Sequence, residues 1–328
     1  NQECGTVADT NNTYFVNPNF PEPFSAAGNC RLTVKMINPN ICQLRVHFHE
    51  FLLTGPSLAA ASAGQCKADR LMISGTRGEP PPQICGVNHG QHMYLDVNRD
   101  RAPVLFDIMT YGGQIKRKWK IEISQIPCGE YVAPSGCLQY FTSLLGSVKS
   151  FNFDGSLHLA HQRYSICVRM EPGFCTIEWS PAMDENENLI EHAFTISDTQ
   201  PRGEHLIAGT EFADPRRRIP GGKPVWATCT GGPGFADYVS IPCGSPDGDR
   251  VFTLLGPTGG DQVSCAHKFC GQALNHLNGA NGSVPVISSV KPFQIEVHFD
   301  GSESEDGGDG GMPNRGFHLR WTQKPCQG

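Results

Sequence analysis

Short apolar–polar alternations, with almost no helical periodicity, organise this chain. Leu32, Val34 and Met36 recur at every second position, as do Leu44, Val46 and Phe48, and Trp119, Ile121 and Ile123. Further along, the same period runs through Tyr164, Ile166 and Val168, through Phe293, Ile295, Val297 and Phe299, and through Phe317, Leu319 and Trp321. Successive side chains of a β-strand point to opposite faces, so a period of two marks strands with one buried face. Clusters of Gly, Pro and Asn separate the runs and supply turn chemistry. Many short strands at regular spacing predict an all-β protein built as sandwiches or jelly rolls.

Fourteen cysteines accompany the strands in two copies of one order. The first copy runs Cys4, Cys30, Cys42, Cys66 with Asp69-Arg70, Ile84-Cys85-Gly86, and a strand closing at Cys128; the second runs Cys137, Cys167, Cys175, Cys243 with Asp249-Arg250, Phe269-Cys270-Gly271, and a strand closing at Cys326. DRLMISG at 69–75 answers DRVFTLLG at 249–256, and WKIEISQIPC at 119–128 answers FHLRWTQKPC at 317–326. Equivalent positions then pair Cys4 with Cys30, Cys42 with Cys128 and Cys66 with Cys85, and in the second copy Cys137 with Cys167, Cys175 with Cys326 and Cys243 with Cys270. Cys229 and Cys265 remain and pair with each other. Connectivity does not follow from spacing alone, and the repeat is what narrows it. The copies predict two domains, 1–128 and 129–328.

The second copy carries 68 positions from Cys175 to Cys243 against 24 from Cys42 to Cys66. The insertion covers about 182–242. Its excess, roughly 182–225, holds an acidic stretch at 184–187, Arg216-Arg217-Arg218, and FTIS at 194–197, which suggests a local hairpin. Loops of this length in compact domains tend to be functional or mobile.

A chain of 328 residues with a patterned, even set of cysteines fits an oxidising, extracellular compartment. Two sequons, at Asn11 and Asn281, predict glycosylation on polar loops. There is no apolar run of about eighteen residues, so no membrane span is expected, and the start lacks a signal-peptide pattern, which is expected to have been removed or to lie outside this sequence. The net charge of -6 disfavours a general nucleic-acid binder.

Cys4-Gly5, NPNFPEPF at 17–24, LRVHFHEF at 44–51, Cys66-x-x-Asp69 and Ile84-Cys85-Gly86 together resemble the CUB domain, an extracellular β-sandwich. The second copy resembles a divergent member through Cys137, Cys167, Asp249, Cys270-Gly271, PFQIEVHFD at 292–300 and GFHLRW at 316–321. The bonds expected for Cys42 and Cys175, with APSGCLQYF at 133–141, are similar to secreted tandem-CUB proteins of arthropods. The resemblance implies disulfide-stapled jelly-roll sandwiches and a non-catalytic binding role.

It also implies a place to look for calcium, in an end-of-sandwich site made of a Glu, the Asp of Cys-x-x-Asp and a late Asp, the hard oxygen donors Ca²⁺ requires. In the first copy only Asp69 matches, since 54–62 and 109–113 offer no carboxylate. In the second, Asp249 and Asp300 match, with Glu303, Glu305, Asp306 and Asp309 nearby. Calcium in the second domain competes there with the favoured reading of a solvated acidic, Gly-rich loop.

Other constellations are weaker. His47 and His49 share a strand face that His89 and His92 could approach, as in zinc sites, but they oppose the apolar face and read as solvent-facing. Gly-x-Ser-x-Gly, His-Glu-x-x-His and phosphate loops are absent, so the chain is not expected to be an enzyme. Lys116-Arg117-Lys118 with Lys120, and Arg216-Arg217-Arg218 with Lys223, read as loop charges, the second cluster being the better candidate for binding an acidic partner. The expectation is a secreted, extracellular, non-catalytic module that binds protein or glycan partners. The alternatives are a structural component of a matrix or secretion, and a non-catalytic fragment of a larger secreted protease.

Overall fold

The computed structural model describes residues 1–98, 102–112, 115–155, 157–196, 209–212, 229, 237–249, 251–256, 259–277, 282–301 and 314–326, with backbone only for 60, 209–212, 251–256 and 259–264. The described residues are strands and turns, with two short 3-10 turns and no α-helix. The chain divides into two compact units, Asn1–Tyr140 with Phe151–Ile166, and Phe141–Ser150 with Cys167–Gly328. The first unit thus takes in 151–166, beyond the point where the first copy of the repeat closes.

Eight strands precede Cys128: β1 (Thr6–Ala8), β2 (Thr13–Val16), β3 (Gly28–Val34), β4 (Ile41–Leu52), β5 (Arg70–Ser74), β6 (His92–Asp96), β7 (Val104–Thr110) and β8 (Lys118–Pro127). They form two four-stranded sheets, β1-β3-β7-β5 and β2-β8-β4-β6, antiparallel except for β1 on β3. The period of two is realised in β8, where Trp119, Ile121 and Ile123 are fully buried. In β4 it carries Leu44, Val46 and Phe48 inward, and a register shift between Phe48 and Glu50 then turns Phe51 to the same side. A bulge adds one residue to one strand and so reverses which parity faces the core.

After these come β9 (Cys137–Phe141), β10 (Leu145–Lys149), β11 (Gln162–Val168), β12 (Phe174–Pro181), β13 (Phe194–Thr195), β14 (Gly209–Phe212) and β15 (Tyr238–Gly244). The last six are β16 (Val251–Gly256), β17 (Gly259–Ser264), β18 (Ala266–Cys270), β19 (Val286–Ser288), β20 (Phe293–Phe299) and β21 (Gly316–Pro325). In the second unit the neighbours run β10-β21-β12-β19 in one sheet and β14-β18-β15-β20 in another, with β16-β17 a hairpin. Phe293, Ile295, Val297, Phe317, Leu319 and Trp321 all face the core, and Trp179 lies opposite Trp321 with ring centroids 6.1 Å apart. The fold is an all-β, disulfide-stapled jelly-roll sandwich architecture. The hairpin expected at 194–197 does not form among the described residues: β13 pairs with the closing strand β21, Phe194 opposite Phe317, which buries Phe194.

The structure bonds Cys4 to Cys30, Cys42 to Cys128, Cys66 to Cys85 and Cys175 to Cys326, and Cys137 and Cys167 are bonded too. It corrects the remaining two pairs, joining Cys229 to Cys270 and Cys243 to Cys265. Strand register is the reason. β15 runs antiparallel to β18 with Gly244 opposite Ala266 and Val239 opposite Phe269, so Cys243 lies beside Cys265 while Cys270 is at the far end of the strand. At about 3.3 Å per residue that end is far beyond the ~7 Å Cα separation a disulfide spans. A sign was present in the spacing, because Cys66–Cys85 is separated by 19 residues and Cys243–Cys265 by 22, whereas Cys270 lies further on.

The motif glycine after Cys85 also has a physical cause. Gly86 has φ +73°, and a Cβ there would lie 1.8 Å from Asn152 Oδ1. That oxygen accepts the Val87 amide at 2.9 Å, the Asn152 amide donates to Asn88 Oδ1 at 2.8 Å, and both asparagines are fully buried. Asn152 Nδ2 donates to the Leu157 carbonyl at 2.7 Å. The knot fastens 151–166 to the first unit. Gly86→Ala is expected to lower the unfolding free energy by about 1–3 kcal/mol, measured by denaturant melts of the full chain; an unchanged midpoint would show that the Asn152 contact is dispensable.

Candidate functional site

In the first unit Asp69, the position that matches the resemblance's calcium ligands, is paired with an arginine. Asp69 precedes β5 in the parity of buried Leu71 and Ile73, and Arg117 precedes β8 in the parity of Trp119, Ile121 and Ile123. Strand alternation therefore turns both charges inward, and both side chains are fully buried. Arg117 Nε donates to Asp69 Oδ2 at 2.5 Å and Nη2 to Oδ1 at 3.0 Å, a two-point pairing that matches the planar fork to the carboxylate.

The rest of the shell uses both partners. Asp69 Oδ2 accepts from the Thr54 amide at 2.9 Å and hydroxyl at 2.6 Å, and Oδ1 from the Tyr111 amide at 3.1 Å. Arg117 also donates to the carbonyls of Ser25, Tyr111 and Gly112. Burial alone pushes the Asp69 carboxyl up, but the hydrogen bonds from Arg117, Thr54 and Tyr111 together hold it below the ordinary carboxylate value. Calcium does not fit this shell. Among the described residues the shell holds one carboxylate, its oxygens are taken by N–H and O–H donors of Arg117, Thr54 and Tyr111, and the adjacent guanidinium would repel a cation.

Consequently the basic run at 116–120 is not one surface patch. Arg117 is internal, Lys118 Nζ lies 2.7 Å from Glu50, and Lys120 Nζ sits 5.2 Å from the centre of the Tyr14 ring. Sequence reasoning missed Arg117 because adjacent lysines made it look solvated, although its parity with Trp119 was the sign of burial.

The histidines are partly gathered. His47 and His49 on β4 have ring centroids 4.5 Å apart, and His49 Nε2 lies 2.8 Å from Glu122. That hydrogen bond, the largest influence on Glu122, holds its carboxyl below the usual range. His92 pairs with His47 across β6 and β4, but is buried, with Nε2 3.1 Å from the Tyr140 carbonyl. His89 turns away, its Nδ1 accepting the Phe51 amide at 2.9 Å. Burial, then the nearby Arg45 charge, push His92 down to about 4, with His47 adding to the shift.

In the second unit Asp249 is exposed and its amide donates to Asp247, while the Asp300 amide donates to Asp237. Asp237, which sequence reasoning passed over, is buried and precedes β15 in the parity of Val239 and Ile241. Glu303, Glu305, Asp306 and Asp309 lie outside the described residues, as do Arg216, Arg217, Arg218 and Asn281. Among the described residues no three His, Cys, Asp or Glu side chains converge as a metal site would. Asn11 is exposed, and its Oδ1 accepts the amides of Asn12 and Gln125.

Two outcomes follow for the first unit. Asp69→Asn leaves Arg117 buried without its counter-charge and is expected to cost about 3–5 kcal/mol in denaturant unfolding; a cost near that of an exposed ion pair would contradict the burial. For His92 the folded pKa, about 4, lies below the unfolded 6.5, so below pH 6.5 the unfolded chain binds the extra proton. Stability is fully present above about pH 6.5 and falls by on the order of 3 kcal/mol as pH approaches 4. Melts from pH 7 to 4 on the protein and on His92→Gln should show the slope reduced in the variant.

A model of the family described as the animal CUB domain matches residues 134–324, the stretch expected to be the divergent copy. A search of curated proteins returned no match. Among solved structures, the CUB1-EGF-CUB2 domains of rat MASP-1 align over 97% of this chain and 99% of that one, at 12% identity and a TM-score of 0.30. The CUB1-EGF-CUB2 domain of human MASP-1/3 aligns over 96% and 100% at 13% identity and 0.29, and the full extracellular region of zebrafish Gpr126/Adgrg6 over 99% and 37% at 12% identity and 0.31. The family match spans more than half of the sequence, and the chain belongs to the animal CUB domain family.

Proposed function

We propose that this chain is a secreted, non-catalytic interaction module of two CUB-type units, 1–128 and 129–328 by the repeat, that binds protein or glycan partners outside the cell. The family match carries this reading, because CUB domains are typically extracellular protein-interaction modules and generally non-catalytic. Complete pairing of the cysteines supports it, since such bonds persist in oxidising compartments. Partner specificity resides in the insertion of the second unit, because the shared framework is occupied by core residues and bonded cysteines. Arg216, Arg217 and Arg218 are its contact residues for an acidic partner. One residue of this segment, Cys229, is bonded to Cys270 on β18, which ties the insertion to the framework of the second unit.

The test is affinity capture from native extracellular fluid with the full chain and with a variant replacing all three arginines by glutamine. The variant is expected to bind the captured partner more weakly and with a flatter salt dependence, with its unfolding free energy changed by no more than a few tenths of a kcal/mol. Unchanged affinity and salt response would remove the arginines from the interface, and failure to capture any partner from fluids in which the protein is present would count against the module reading.

A further inference from the structure

The first unit holds a cleft of about 510 Å³, of a size suited to a small ligand or a few residues of peptide. Among the described residues its wall contains Lys67, Arg70 and His161 and no carboxylate. Asp69 and Arg70 are adjacent on a strand edge, so alternation sends Asp69 into the core and leaves Arg70 half-buried in the cleft wall. Lys67 and His161 are exposed, and neither Lys67 nor Arg70 forms an ion pair among the described residues. The Arg70 guanidinium has the Tyr111 ring, 5.7 Å away, in place of an acidic partner. In a chain of net charge -6, a concave surface with two cationic side chains, a histidine and, among the described residues, no acidic group is a local reversal of sign.

The walls are fixed before any ligand arrives. The Cys66–Cys85 bond ties one side of the cleft to the segment that follows Pro81-Pro82, and the Leu71 amide donates to the Ile84 carbonyl at 2.8 Å. The third wall is held by the Ala160 amide on the Gly64 carbonyl at 2.8 Å and by Gln162 Nε2 on the Gln83 carbonyl at 3.0 Å. A preformed site loses little entropy on binding. Pro81 and Pro82 add a rigid face without N–H donors.

We infer that this cleft binds an acidic peptide segment, with a carboxylate on Arg70 and Lys67 and the peptide backbone along Pro81-Pro82. Arg70 can take a carboxylate at two points. Two permanent cations match one or two carboxylates, whereas a polysulfated glycan draws its affinity from many cations spread over a wide surface. The inference rests on the interaction-module reading and adds to it a second contact, in the first unit and separate from the arginines of the insertion, for an acidic segment.

Isothermal titration of the full chain with a capped tetraglutamate peptide tests it, with capped tetralysine as charge control and a fully sulfated heparin tetrasaccharide as the competing class. The tetraglutamate is expected to bind saturably, to weaken severalfold in Lys67→Gln and in Arg70→Gln, and to lose salt dependence in both, with melting temperatures unchanged. Should Arg70→Gln unfold, Lys67→Gln and Arg70→Lys carry the comparison. Absence of tetraglutamate binding, binding indifferent to both residues, or heparin binding through Lys67 and Arg70 without the peptide would each overturn the inference. A partner captured from extracellular fluid equally by the protein and by Lys67→Gln would remove the cleft while leaving the module reading in place.

Discussion

A charge carried into the core of a β-sandwich must find a fixed opposite charge, and in the first unit that requirement is met by Asp69 and Arg117. Both are fully buried, and their hydrogen bonds reach Ser25, Thr54, Tyr111 and Gly112. These residues belong to three separate connections, β2–β3, β4–β5 and β7–β8, so one ion pair sets the path of the chain at that end. A pair of this kind is weak evidence for added stability, since a well-packed apolar substitute can be as good. What it supplies is direction, because the guanidinium fork accepts one arrangement of carboxylate and carbonyls and few others.

The same pair supplies, within the polypeptide, the counter-charge that a buried carboxylate requires. Hard oxygen ligands must be brought together against their mutual repulsion by a cation, and here the cation is part of the polypeptide. The charge balance at the site is therefore set by the sequence and not by the ionic composition of the surroundings. The neighbouring residue, Arg70, takes the opposite face of the strand edge and gives the cleft its sign. Adjacent charges of opposite type thus perform unrelated tasks, separated only by strand alternation.

Much of the fold was legible because the period of two is a direct imprint of the sheet. It was legible even for buried charges, since Asp69, Arg117 and Asp237 all stand in the parity of the apolar residues that follow them. Charge and neighbouring lysines outweighed parity when they were interpreted, and that is where the surface reading of Arg117 came from. Phe51 was hidden for a different reason, since the irregularity between Phe48 and Glu50 reverses the parity in the middle of β4. The pairing of Cys243 and Cys265 depends on strand register, which matching positions between copies does not encode. Asn152 was beyond reach altogether, because its partners at 86–88 are distant in sequence and nothing local announces a buried asparagine.

The Asn152 knot changes how the order of synthesis relates to the order of folding. Residues 1–128 contain every strand of the two four-stranded sheets, so those sheets have all their members once β8 has left the ribosome. Yet the Val87 amide and the Asn88 side chain find their partner only after residue 152 follows, and 151–166 complete the wall around Gln83 later still. A nascent chain that has reached only the end of the first repeat is thus a sandwich with an open seam. The boundary between the two copies in the gene and the boundary at which the first unit becomes a finished object are different places.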